Sequence, residues 1–197
     1  MKKFFIIAVM VIAAVNANAQ GKVGSIMITP KLGANLSSMT SLSDTKTKFG
    51  LVVGAEGQYQ VTPLLALSGG LLYSQQGVSY DVSSGSRKTS LDYLNIPILA
   101  NFYVANGLAL KVGIQPGLLL RANNNDEYNG TSQSTDVKDT CESLDISLPL
   151  GLSYEFSNFV IDGRYNLGLT KVPKGSESTD SKNSVIQITL GYRFTLK

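Results

Sequence analysis

Nine charged residues lie in segments that alternate apolar and polar residues, always on the polar positions. These are the residues most able to do chemistry. Charges of opposite sign inside one protein interior must pair with each other or with an ion. Two roles fit them: a buried network of ion pairs that plugs a narrow lumen, or the charged lining of a gated ion path. Their near balance of sign favours the network, centred on Glu155, Asp162, Arg164 and Arg193. The predicted members are Lys31, Glu56, Lys111, Arg121, Asp145, Glu155, Asp162, Arg164 and Arg193.

The composition argues against catalysis. The chain has 197 residues and no histidine, which removes the usual general base and the usual metal ligand. Asp145 and Glu155 are a formally possible acid–base pair, but nothing around them suggests a substrate. Cys141 is the single cysteine and is expected to be a free thiol. We therefore expect no enzyme activity, no metal and no cofactor.

The N-terminal stretch predicts an export signal. Two lysines precede an apolar run from Phe4 to Val15, and Ala17-Asn-Ala19 is a small-x-small cleavage site. We expect residues 1–19 to be removed and residues 20–197 to form one domain. Without those two lysines the 17 basic residues become 15, against 14 acidic ones. The mature chain is then nearly neutral, so no nucleic-acid partner is expected.

The elements that would position the charges are β-strands. The last stretch, Ser184–Lys197, alternates apolar and polar residues with the two-residue period of a strand. Seven further segments do the same. Short turns near positions 61, 106 and 157 alternate with longer polar loops near 42, 85, 132 and 177. This pattern predicts an all-β fold of eight antiparallel up-and-down strands, whose last strand pairs with the first to remove both edges.

Alternation alone does not say which face points outward, because soluble eight-stranded barrels of lipocalin type keep their apolar side chains inside. The apolar positions of all eight strands contain no Asp, Glu, Lys or Arg. A lipid-facing charge costs about 2 to 4 kcal/mol at the membrane midplane. We therefore predict a transmembrane β-barrel with short periplasmic turns and longer extracellular loops, in the outer membrane of a Gram-negative cell.

Aromatic residues collect beside the short turns, where an interfacial girdle is expected. The predicted girdle comprises Tyr59, Phe102, Phe156, Phe159, Tyr192 and Phe194.

Three prolines fall inside predicted strands, where a proline removes a hydrogen-bond donor, so we expect a bulge or bend at Pro97, Pro116 and Pro149.

Five segments carry a family resemblance: Lys31–Ser37, Leu71–Gly77, Tyr93–Ile98, Asp162–Thr170 and Gly191–Phe194. Together they resemble the small outer-membrane β-barrel family called porin-family or PorT-like proteins, over essentially the whole mature chain. The resemblance implies the barrel but no activity, because the family is defined by its fold. Such barrels often end on an aromatic residue that the assembly machinery is thought to read, whereas three residues follow Phe194 here.

The combined interpretation is a monomeric outer-membrane barrel with a plugged polar lumen and a structural or surface-interaction role. Its expected partners are outer-membrane lipid and the barrel-assembly machinery. Loops rich in Ser, Thr, Asn and Asp could bind a surface partner, but their composition names no ligand. The alternative is a small passive channel for ions or small solutes.

Overall fold

The computed structural model describes residues 22–40, 45–82, 85–128, 131–174 and 180–196. The predicted leader, residues 1–19, lies outside the described residues. Within the described part of the chain, no helix is long and apolar enough to cross a membrane. The strands are β1 (Ile26–Met39), β2 (Thr45–Thr62), β3 (Leu65–Val82), β4 (Gly85–Asn95), β5 (Ile98–Ala105), β6 (Leu108–Tyr128), β7 (Thr131–Asp136), β8 (Leu144–Phe156), β9 (Phe159–Gly168), β10 (Asn183–Tyr192) and β11 (Phe194–Thr195).

Backbone hydrogen bonds join these strands into a closed ring. β4 and β5 are two parts of one barrel strand, β10 and β11 are two parts of another, and β7 pairs with β6 outside the ring. The described residues thus form eight antiparallel barrel strands, closed where β1 pairs with β10. The predicted eight-stranded up-and-down barrel is confirmed. We call the end with turns at 63–64, 106–107 and 157–158 the short-turn end, and the opposite end the loop end.

Alternation along each strand separates an apolar exterior from a polar interior. On β10, Ile188 is 56% exposed, whereas the neighbouring Gln187 and Thr189 are 0% and 1% exposed. The same contrast recurs around the ring, because successive strand side chains point to opposite faces. The buried side chains of the described residues are therefore mostly polar, although apolar ones such as Val52, Leu72 and Val185 lie among them.

Two polar stretches that were predicted as loops are largely strand. β3 and β4 pair as far as Val82↔Gly85, and β6 and β7 pair as far as Tyr128↔Thr131. Both hairpins therefore extend the sheet beyond the apolar exterior. Outside the apolar zone both sheet faces can meet water, so the apolar–polar period disappears from the sequence while the backbone ladder continues.

The three interior prolines cause no register shift, so the structure has no bulge of the expected kind there, although Ile96 and Pro97 interrupt the strand between β4 and β5. β4 and β5 keep one register with β6 on both sides of Pro97. The same holds for the ladders that contain Pro116 and Pro149. A proline loses a donor but keeps its acceptor: Gly70 donates to the Pro97 carbonyl and Ile96 to the Pro116 carbonyl.

Candidate functional site

Inward positions of β1, β2, β6 and β9 bring five charged side chains together inside the barrel. We call them the lumen charge cluster: Lys31, Glu56, Lys111, Asp162 and Arg164. None is more than 5% exposed. All five were predicted as lumen residues from the strand period.

Asp162 is the most heavily bonded member of the lumen charge cluster. It accepts from Lys111 Nζ at 2.5 Å, from Arg164 Nε at 2.7 Å and from Lys31 Nζ at 3.2 Å. Glu56 accepts from Lys31 Nζ at 2.7 Å and from Arg164 Nη2 at 2.8 Å. Three cations therefore share two carboxylates, and every member of the cluster has an ionic partner.

Three of these ion pairs join strands that are not neighbours in the ring. Lys111 on β6 reaches Asp162 on β9 past the intervening β8. Arg164 on β9 reaches Glu56 on β2, with β10 and β1 between them. The cluster therefore crosses the interior of the barrel instead of lining its wall.

Glycines in adjacent strands make room for these long side chains. Gly70 is paired with Glu56, and a Cβ there would lie 2.7 Å from Glu56 Cγ. Gly151 is paired with Arg164, and a Cβ there would lie 2.9 Å from Arg164 Cγ. An inward glycine paired with an inward charged residue therefore indicates a member of the cluster. This indication is additional to the strand period.

A second set of side chains, the short-turn layer, lies nearer the short-turn end: Gln58, Tyr103, Glu155 and Arg193. Gln58 Nε2 donates to Tyr103 Oη at 2.8 Å, and Tyr103 Oη donates to Glu155 Oε1 at 2.8 Å. The Arg193 guanidinium pairs with both carboxylate oxygens of Glu155. The four residues come from every second barrel strand, so this layer also crosses the lumen.

The predicted centre of the network is therefore two layers, because Glu155 and Arg193 bond each other while Asp162 and Arg164 belong to the lumen charge cluster. Tyr103 and Gln58 were missed as network members. Both could have been found from their positions in the sequence, because each lies at an inward-facing position of its strand. An uncharged polar group at such a position can link charged ones.

Asp145 belongs to a third set, the loop-end layer: Tyr93, Asp145, Thr170 and Asn183. Thr170 Oγ1 donates to Asp145 at 2.5 Å, and Asn183 Nδ2 donates to Asp145 at 3.1 Å and to Tyr93 Oη at 3.3 Å. Glu155 is bonded instead within the short-turn layer. The possible acid–base pair of Asp145 and Glu155 therefore does not share a site.

Arg121 was predicted in the lumen but lies on the exposed surface. The register between β4 and β6 shifts between Asp92 and Tyr93, which pair with Arg121 and Leu119 respectively. Leu120 and Arg121 are both exposed as a result, whereas Leu119 is buried. A bulge adds one residue to a strand and so reverses the faces beyond it. The prediction failed because it assumed unbroken alternation.

The six aromatic residues of the predicted girdle all lie on the exterior near the short-turn end. They are between 38% and 52% exposed. Phe159 and Tyr192 meet edge to face with ring centroids 5.3 Å apart, and Phe194 follows at 4.9 Å from Tyr192. Asn158 Nδ2 donates to Tyr192 Oη at 3.1 Å. The hydroxyl of Tyr192 at a turn suits a membrane interface, and the girdle stays a prediction.

Comparison with known proteins identifies the barrel type. Residues 7–173 match the family model described as outer membrane protein beta-barrel domain. A search of curated protein sequences found no match. Among solved structures, Ail, the attachment invasion locus protein of Yersinia pestis, is 17% identical with a TM-score of 0.50, covering 88% of this chain and all of Ail. Neisserial surface protein A is 13% identical with a TM-score of 0.50, covering 86% of this chain and 97% of that one. At these identities the likeness shows the fold alone.

A further structure shows Ail in complex with the heparin analogue sucrose octasulfate. It is 18% identical, with a TM-score of 0.51, and the match covers 88% of this chain and 100% of Ail. The family match and the structural likeness agree with the closed eight-stranded ring described above.

Proposed function

The chain belongs to the outer membrane protein beta-barrel domain family, and we propose that it is a barrel with a closed lumen in a structural or surface-interaction role. Its apolar exterior is embedded in outer-membrane lipid. By the general rule for such barrels, the short-turn end faces the periplasm and the loop end faces the cell surface. We further propose a monomer that the barrel-assembly machinery inserts.

The observation that carries this proposal is the lumen charge cluster, with one bonded layer on each side of it. An ion that passed through the cluster would have to separate buried pairs, and an uncompensated buried charge is costly. The charges also balance, so the interior attracts neither anions nor cations as a whole. Among the described residues, the buried cations are Lys31, Lys111, Arg164 and Arg193, and the buried carboxylates are Glu56, Asp145, Glu155 and Asp162.

The surface role is supported by the extended hairpins at the loop end. Arg87 on β4 and Asp126 on β6 form an exposed ion pair there, with Nε and Oδ1 2.5 Å apart. The hydrogen bond from Arg87 holds the pKa of Asp126 below its usual range. Ail shows that a barrel of this fold can take a ligand, but the identity shared with Ail is too low to transfer that ligand.

Replacing Arg193 tests whether the lumen is a plug or a gate. In Arg193→Ala, Glu155 keeps its bond from Tyr103 but loses the guanidinium, so we expect unfolding free energy to fall by about 1 to 3 kcal/mol. The same variant should conduct no better than the wild type, because the lumen charge cluster still crosses the interior. Heat-modifiable gel migration and planar-bilayer current measure the two properties on one refolded sample.

The matched control is Arg87→Ala, which removes an arginine from an exposed ion pair. We expect it to leave both properties close to those of the wild type, because exposed pairs contribute little. If Arg193→Ala instead raised bilayer conductance at unchanged stability, Arg193 would be a gate and the passive-channel alternative would replace the plug.

A further inference from the structure

The lumen charge cluster has one more positive than negative charge. Its side chains are at most 4% exposed, so water does not screen this excess. An uncompensated charge in a buried site is costly, and an anion bound beside it removes that cost. The three cations of the cluster are Lys31, Lys111 and Arg164, and its two carboxylates are Glu56 and Asp162.

The layers on either side of the cluster do not supply the missing negative charge. In the short-turn layer, Arg193 and Glu155 compensate each other. In the loop-end layer, Asp145 accepts from the neutral side chains of Thr170 and Asn183. The buried charges balance over all three layers, but the excess positive charge is local to the lumen charge cluster.

One nitrogen of the Arg164 guanidinium has no protein partner. Nε and Nη2 donate to Asp162 at 2.7 and 2.8 Å, and Nη2 also donates to Glu56 at 2.8 Å. Nη1 has no hydrogen-bond partner among the described residues, although Arg164 is only 2% exposed. A guanidinium is planar and its donors have fixed directions. Because Asp162 occupies the edge formed by Nε and Nη2, Nη1 points away from Asp162.

Two buried amides next to Arg164 also have donors without a protein partner. Gln187 is paired with Arg164 across the β9–β10 ladder, and Asn166 follows two residues further along β9 on the same face. Paired residues have Cβ atoms about 4.5 to 5.5 Å apart. Gln187 is 0% exposed and Asn166 3% exposed, and neither side-chain nitrogen has a partner in the described part of the chain. Buried donors without any partner are rare, so a group from outside the protein is expected there.

We propose that one small monovalent anion, such as chloride, binds between Arg164 Nη1, Gln187 Nε2 and Asn166 Nδ2. Its single charge compensates the excess of the lumen charge cluster, whereas a divalent anion would reverse it. A cation is disfavoured by the same excess. Adjacent strands of one ladder hold all three donors. The proposal rests on the lumen charge cluster and not on whether the lumen conducts, which bilayer current measures separately.

Urea unfolding of the refolded protein in lipid vesicles tests the proposal, with sodium chloride compared with sodium gluconate at equal concentration. Gel migration measures the folded fraction. A ligand that binds only the folded state raises stability with its concentration. We therefore expect chloride to raise the unfolding midpoint saturably, whereas gluconate, a much larger anion, leaves it unchanged.

Gln187→Leu tests the proposed donor without changing any charge. The amide nitrogen of Gln187 bonds to no described residue, so the variant is expected to fold. The chloride concentration that gives half of the midpoint shift should rise about three- to tenfold, the value of one hydrogen bond.

Lys111→Met tests the charge excess, because it leaves two cations and two carboxylates in the cluster. Asp162 keeps its bonds from Lys31 and Arg164. We expect the response to chloride to be lost. The matched control is Lys88→Met, which removes an exposed lysine from β4 and should keep the response of the wild type.

Crystals grown in sodium bromide locate the anion, since bromide replaces chloride and scatters anomalously. We expect a peak within hydrogen-bond distance of Arg164 Nη1 and Gln187 Nε2. The proposal is overturned if the wild type shows no saturable response to chloride, the result expected if Lys31 instead loses a proton. An unchanged half-effect concentration in Gln187→Leu, a wild-type response in folded Lys111→Met, or a bromide peak only elsewhere would also overturn it.

Discussion

Asp162→Asn lowers the free energy of unfolding by about 3 to 5 kcal/mol, the cost of removing one partner from a buried ionic cluster. Asp162 accepts from Lys31, Lys111 and Arg164, so its loss leaves Glu56 to compensate three buried cations. The substitution changes the shape of the side chain very little. Reversible urea unfolding in lipid vesicles, followed by tyrosine fluorescence, measures the difference.

Asp126→Asn is the control for this substitution. It removes the same charge from an aspartate that also pairs with an arginine, but at the exposed loop end. We expect little change, because water and salt screen an exposed pair. If the two variants lost the same stability, the lumen charge cluster would not hold the barrel together.

Ile188→Arg destabilises the barrel by about 2 to 4 kcal/mol, because it places a charge on the exterior near the middle of β10, at the membrane midplane. Ile188 is exposed, and the residues paired with it on the two adjacent strands are Ala34 and Gly163. Neither is charged, so neither would compensate the charge of the new arginine. Urea unfolding in vesicles of defined lipid again measures the cost.

Val104→Arg is matched to this variant in exposure, because Val104 and Ile188 are both 56% exposed. Val104 lies beside the turn at 106–107, so a charge there reaches the membrane interface and costs about 0 to 1 kcal/mol. Equal destabilisation by the two arginines would contradict a lipid-covered exterior, since exposure alone does not distinguish the two positions.

The strand period was enough to predict the barrel. Where one face of a strand meets lipid and the other a narrow lumen, each position must be either apolar or polar, as at Gln187, Ile188 and Thr189. At the loop end both faces can be wet, so the period failed there and the extended hairpins were read as loops. The prolines cause no register shift, because a lost donor does not by itself displace a ladder, and only Pro97 lies at an interruption of its strand.

The candidate site was predicted in membership but not in arrangement. Eight of the nine predicted network residues are buried. Arg121 is the exception, because a bulge turns it to the exterior and no residue type in the sequence predicts that bulge. Which charges pair depends on strands that are far apart in sequence, as with Lys31 and Asp162. The two-residue period gives the face on which each side chain lies but not its position along the barrel axis. The separate layers were therefore not predicted.

Single-channel recording of the refolded wild-type protein in planar bilayers tests most directly whether the lumen is closed. The structure has ion pairs crossing the interior from β6 to β2, with a bonded layer on either side. We predict a current no different from that of the bare bilayer at both voltage polarities. Steady single-channel openings from protein shown to be folded by its gel migration would contradict it.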